Sequence, residues 1–222
     1  MHIPDGFLST EITAITNIVS LGTVGFCLHK IFRKVEKNTV FLLAATGALI
    51  FAMQMLNFPV ARGTSGHFLG NILAAILLGP HLAILLMSIV LVIQVLLFQD
   101  GGLMALGANI FTIGIVGTMS GYAIYRLITG MVDEAYGILV GTFAASGIGV
   151  IAAAAACSLL LYLSGVLPLP TLLLPMITIH VKIGVAEGLI SLLILAFLYG
   201  ISPDLFVESR LLSRQQPTAR TP

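Results

Sequence analysis

The sequence predicts an all-α, polytopic membrane protein, and three observations carry that prediction. Hydrophobic residues make up 58% of the chain and charged residues only 9%, against roughly 25% charged residues in an average soluble domain. Long apolar runs such as FLLAATGALIFAMQML, HLAILLMSIVLVIQVLLF and SLLILAFLYG approach the roughly 20 helical residues that cross a hydrocarbon core of about 30 Å. These runs do not alternate apolar with polar residues, which points to helices rather than a β-barrel.

Breaks at Gly, Pro and charge divide the chain into about seven transmembrane helices, near residues 11–29, 39–56, 67–79, 82–98, 106–127, 138–164 and 174–200. Helix one is followed by Lys30, Arg33, Lys34 and Lys37, Arg126 closes helix five, and Arg210, Arg214 and Arg220 lie in the tail. An odd helix count puts all of these on the cytoplasmic side and leaves Arg62 on the other, so the amino terminus is expected outside and the carboxyl terminus in the cytoplasm. The third helix is the exception. At about 13 residues it reaches only about 20 Å, so NFPVARGTSGH before it is expected to be irregular backbone buried in protein or lining a cavity. Such interrupted helices often frame transporter binding sites. Thr64 or Ser65 is the expected N-cap, with His67 in the first turn, where the helix dipole would keep the imidazole neutral.

Three regions follow: residues 1–10 as a metal-chelating plug, 11–205 as a single seven-helix membrane domain, and 206–222 as a polar cytoplasmic tail expected to be disordered. Cys27 and Cys157 read as small residues inside apolar stretches. The pairs Gly117 with Gly121 and Gly184 with Gly188, and the alanines from Ala152 to Ala156, allow close helix approach within the fold or against a partner. The start lacks a basic segment leading into an apolar run, and His2 replaces the glycine that myristoylation needs, so Met1 is expected to be the mature terminus.

MHIPDGFL at that terminus has a specific chemistry. The Met1 amine, the deprotonated His2 amide nitrogen and His2 Nδ1 can close two fused rings around one metal ion. His67, at the mouth of the short helix, is the natural fourth donor. Four nitrogens in a plane favour Ni(II) or Cu(II), accommodate Co(II) less strictly, and do not serve hard ions such as Mg(II) or Ca(II). Pro4, Asp5 and Gly6 form the turn that aims the donors into the bundle, and Ile3, Phe7 and Leu8 supply the apolar grip. One anionic amide leaves a bound divalent ion at net +1, so Asp5, Asp100 and Glu187 are candidates for charge balance. Each donor competes with a proton, so affinity is expected to fall as pH drops through the ordinary amine and imidazole values, about 8 and 6.5. His29 and His81 read as solvated residues at helix ends. His180 and Glu187, seven residues apart on one helix face, are candidates for function or for a polar network joining helices.

MHIPDGFL, GTSGHFLGNILAAILLGP around His67, IQVLLFQDGGLMALGAN at 93–109 and HVKIGVAEGLIS at 180–191 together resemble the substrate-binding membrane subunits (S components) of cobalt and nickel energy-coupling factor transporters, the CbiM/NikM type. The resemblance implies seven helices, an amino terminus tucked into the bundle centre, and Co(II) or Ni(II) held as substrate by Met1, His2 and His67. Asp5, Ser65, Asp100, Asn109, His180 and Glu187 are the expected surrounding residues. It implies ATP-driven uptake across the cell membrane with partners: a transmembrane coupling (T) subunit that the small-residue faces could contact, two cytosolic ATPases, and a small membrane subunit as a separate chain. No G-x-x-x-x-G-K-[ST] is found in the chain, so no ATPase or other enzymatic activity of its own is expected, and nothing suggests nucleic acid. Two alternatives compete. GTSG at 63–66 also fits the nucleophile motif of an intramembrane serine hydrolase using Ser65 and His180; a non-transporting structural subunit is the other. Neither explains the Met-His start.

Overall fold

The computed structural model describes residues 1–31, 37–60 and 64–202. Among them, helix α1 spans Thr10–Ile31, α2 Lys37–Gln54, α3 Asn71–Leu78, α4 Pro80–Phe98, α6 Glu134–Leu163 and α7 Leu169–Ile201. Helix α5 runs through Leu106–Thr129. Between α2 and α3, strands β1 (Asn57–Val60) and β2 (Thr64–His67) pair antiparallel, with Asn57 opposite His67. Helices α1, α4, α5, α6 and α7 are long and apolar enough to cross a membrane, and α2 is a shorter apolar helix. The chain is an all-α, multi-pass membrane protein. Arg33, Lys34, Arg62, Gly63 and the tail carrying Arg210, Arg214 and Arg220 lie outside the described residues.

Helix α3 is the hub. Every residue from Asn71 to Leu78 is buried, as expected of a helix that is apolar nearly all round. Helix α1 is held to the start of α5 by polar contacts: Ser20 donates to the Gly107 carbonyl (2.7 Å), Asn17 Nδ2 to the Met104 carbonyl (3.0 Å), and the Gly107 N–H to Asn17 Oδ1 (3.1 Å).

Two expectations are corrected. Helix three does not begin at His67: Thr64 and Ser65 belong to strand β2, and α3 starts at Asn71 behind Gly70, whose φ of 71° is left-handed. A hairpin satisfies the backbone of this stretch better than one more helical turn, because β1 offers it a paired edge. Helix seven does not begin near residue 174 but at Leu169, with Pro175 inside it. The proline costs the single bond to the Thr171 carbonyl, a loss that membrane helices tolerate. Helix five is π-helical over Ile110–Gly117. There Gly114 lies against Met87, and a Cβ on Gly117 would sit 3.4 Å from the Gly149 carbonyl, tertiary contacts that no sequence period displays.

The small-residue pairs serve the interior. A Cβ on Gly184 would lie 3.0 Å from Gly147 Cα, one on Gly188 3.0 Å from the Phe143 carbonyl, and one on Gly121 2.7 Å from the Ala145 carbonyl. These faces are occupied by α6 and are not available to a coupling subunit. Gly184→Leu is expected to destabilise the bundle by about 1–3 kcal/mol through overpacking, measured as a lowered midpoint of thermal unfolding in detergent; an unchanged midpoint would refute the close α6–α7 contact.

Candidate metal centre

The first three residues enter the bundle, where both polar backbone groups of Ile3 meet partners. The Ile3 N–H donates to Asn109 Oδ1 (2.8 Å), while Asn109 Nδ2 and the Gly102 N–H donate to the Ile3 carbonyl (3.1 and 2.9 Å). Asp5 accepts from the N–H groups of Leu103, Met104 and Ala105 at 3.0, 2.8 and 3.1 Å. It thereby pairs the backbone of the turn that leads into α5 with a side chain from elsewhere in the chain. Gly102 is required at this crossing because any Cβ would overlap Asp5. Met1 and Ile3 are buried and Leu8 packs against the core. Phe7 does not join the grip: it is 48% exposed, because the turn at Pro4–Gly6 has already carried the chain back to the bundle surface.

The other wall is the elbow between β2 and α3. The Leu69 and Gly70 N–H groups donate to the two carboxylate oxygens of Glu187 on α7 (2.6 and 2.9 Å). Gln54 Nε2 donates to the Leu69 carbonyl (2.8 Å), and Gln94 Nε2 to Gln54 Oε1 (2.9 Å). The elbow fixes His67. Its Nδ1–H donates to the Phe68 carbonyl (2.7 Å), which leaves the lone pair on Nε2, an atom that is buried and has no hydrogen-bond partner. A carbonyl holding one ring nitrogen so that the other can bind metal is the usual arrangement of a histidine ligand. Burial, the neighbouring His2 and the amino terminus push the His67 imidazole well below its ordinary range, so it is neutral by desolvation and not through a helix dipole.

Between the two walls lies the Met1 amine, which donates to the Ser65 carbonyl and to Ser65 Oγ. Burial lowers its pKa from 8.0 to about 6, with Cys157 and Asp100 acting in the opposite direction. A neutral amine has two protons and one lone pair; Ser65 takes the two protons and the lone pair is left for an ion. The His2 ring stacks on His67, centroids 4.4 Å apart and planes 11° from parallel. His2 Nδ1 lies 3.1 Å from Asp100 Oδ1, within ion-pair reach but not aligned as a hydrogen bond. Burial pushes the His2 imidazole down and Asp100 opposes this, while the contact with His2 holds the Asp100 carboxyl below its usual range. Stacked rings do not aim their lone pairs at one point, so chelation requires His2 to turn out of the Asp100 contact. Among the described residues no group of three or more His, Cys, Asp or Glu side chains is placed to hold a metal; an ion here needs the amine and the backbone as well.

The structure brings Met1, His2, Ser65, His67 and Asp100 together, with Asn109 holding Ile3 beside them. Asp5 and Glu187 cap backbone and do not face the donors. His180 packs its ring against Gly66 and donates from Nδ1 to the Met176 carbonyl (2.7 Å). Its Nε2 has no hydrogen-bond partner, so it does not pair with Ser65 as a hydrolytic dyad would. His29 is exposed, and His81 lies tilted against Phe26. Sequence reasoning missed Gln54 and Gln94, although a lone amide inside an apolar run is a signal of interhelical bonding. It also passed over Cys157, whose Sγ is 3.7 Å from the Met1 carbonyl oxygen.

A multi-pass bundle with a buried amino terminus beside two neutral histidines defines a membrane protein built around a nitrogen-rich internal site. The chain belongs to the CbiM family, described as the cobalt uptake substrate-specific transmembrane region, which matches residues 2–205. It is 38% identical over 210 residues to a protein of Archaeoglobus fulgidus named as the fused nickel transport protein NikMN, covering 94% of this chain and 68% of that one. It is 30% identical over 215 residues to a protein of Methanococcus voltae named as the cobalt transport protein CbiM, covering 93% and 94% of the two chains. A crystal structure described as a truncated transition metal transporter superposes with a TM-score of 0.83 at 30% identity, over 90% of this chain and 99% of the other.

Asn109→Leu leaves the Ile3 N–H without its buried acceptor, a loss of about 1–3 kcal/mol. Hydrogen exchange at Ile3 is expected to accelerate about tenfold or more, read by mass spectrometry of the amino-terminal peptide; unchanged exchange would show that Asn109 does not hold the terminus.

Proposed function

We propose that this chain is the substrate-binding membrane subunit of an energy-coupling factor importer, taking Co(II) or Ni(II) from the outer side through Met1, His2 and His67. The observation that carries the reading is the pairing of two buried lone pairs: the Met1 amine, whose protons go to Ser65, and His67 Nε2, whose ring is fixed by Phe68. Turning the His2 ring adds Nδ1, and the His2 amide nitrogen lies between it and the amine in the chain, so four nitrogens close a plane suited to Ni(II) and tolerant of Co(II).

The turn also frees Asp100. A divalent ion, one anionic amide and the Asp100 carboxylate sum to zero charge, which matters where the dielectric is low. Asp100 thus competes with the ion for His2 and then balances it. Family membership and relatives named for nickel and cobalt transport support the metals. On this reading the amino terminus faces outward and the carboxyl terminus the cytoplasm. A coupling subunit, two cytosolic ATPases and a small separate membrane subunit complete the importer, and the ATPases supply the energy.

One extra residue before Met1 is expected to abolish tight Ni(II) and Co(II) binding, while His29→Ala leaves it intact; calorimetric titration with both ions decides, and unchanged affinity in the extended protein would end the chelate reading. His67→Ala removes the fourth donor and is expected to weaken binding at least tenfold. The amine must be neutral to bind, and its pKa is about 6. Displacing the amide proton makes affinity rise about tenfold per unit from pH 7 to 8, and below pH 6, where the amine must lose a proton as well, it is expected to fall about a hundredfold per unit. A hundredfold dependence already between pH 7 and 8 would contradict the burial of the amine.

A further inference from the structure

Cys157 sits on α6, buried, and its thiol reaches the carbonyl oxygen of Met1 with a sulfur–oxygen distance of 3.7 Å. That oxygen belongs to the peptide group whose nitrogen is the His2 amide. It therefore points away from any ion held by that nitrogen, and Cys157 approaches the chelate from behind. In the same site His67 Nε2 is buried and unpartnered.

We infer that Cys157 is a positioning residue for the metal chelate: its S–H donates to the Met1 carbonyl oxygen and stabilises the anionic form of the Met1–His2 peptide group. The inference rests on the function proposed above. When the amide nitrogen takes a metal ion, its N–H bond breaks, the nitrogen–metal bond forms with the electron pair left behind, and the proton passes to water. Resonance places part of the resulting negative charge on the Met1 oxygen. A neutral donor already aimed at that oxygen then makes a charge-assisted hydrogen bond, stronger than the one it makes to a neutral carbonyl. Alanine in its place would offer no proton. Drawing charge toward the oxygen also moderates the nitrogen as a donor, which tunes the ligand field at the ion.

The test compares wild type with Cys157→Ala and Cys157→Ser, titrating each with Ni(II) in detergent while recording the visible d–d absorption band. Cys157→Ala is expected to bind Ni(II) about three- to tenfold more weakly, with the band moved to higher energy because the amide nitrogen regains the charge the hydrogen bond had withdrawn. Cys157→Ser keeps a donor and is expected to restore both affinity and band position. Three outcomes overturn the inference: Cys157→Ala matches wild type; Cys157→Ser fails as fully as Cys157→Ala, which would mean packing alone; or wild type shows a thiolate-to-nickel charge-transfer band that Cys157→Ala lacks, which would make the sulfur a ligand. Loss of Ni(II) binding by wild type itself would instead overturn the function on which the inference rests.

Discussion

A backbone that leaves the helix inside an apolar bundle has to find its hydrogen bonds within the protein, and the rest of this structure depends on how that constraint is met. Two such stretches enter the bundle: the first three residues, and the hairpin and elbow between α2 and α3. Side chains from distant parts of the chain serve them. Asn109 pairs with both polar groups of Ile3, Asp5 takes the N–H groups of the turn before α5, Glu187 closes on Leu69 and Gly70, and Gln54 takes the Leu69 carbonyl. Each satisfies a donor or acceptor, and one buried without a partner costs about 1–3 kcal/mol.

The packing that encloses these stretches also gives the site its chemistry. The same burial that forces the backbone to be paired also removes water from the Met1 amine and from both imidazoles, so that the neutral, electron-donating forms prevail near neutral pH. Ser65 and Phe68 take up the protons of the amine and of His67 through backbone carbonyls and one hydroxyl, without adding negative charge. Among the described residues Asp100 alone brings a charge into direct contact with a donor. A site prepared in this way offers lone pairs to a borderline-soft cation and gives little to a hard one.

Much of this was legible in the sequence, and the misreadings share a cause. Apolar run lengths located the seven helices, and the bond chemistry of a terminal Met-His singled out Met1 and His2 before any fold was known. His67 is legible as a candidate donor, but its surroundings are not: Thr64 and Ser65 are good caps, and nothing local reveals that β1 is waiting to pair with them. Glu187 and Asp5 were visible as carboxylates in unusual places, yet their role as backbone caps depends on partners 117 or 118 and 98 to 100 residues away. The same distance hid Cys157, which local context presents only as a small apolar residue.

The sequence by itself determined that the chain is a helical membrane protein and which atoms could bind a transition metal, because hydropathy and ligand chemistry are properties of residues. Only the tertiary structure decided that the amine, His2 and His67 meet, that Asp100 rather than Asp5 or Glu187 touches a donor, and that the small-residue faces are spent on internal packing. Convergence and satisfaction of buried polar groups are properties of pairs of residues, and the pairs here are brought together by long-range packing.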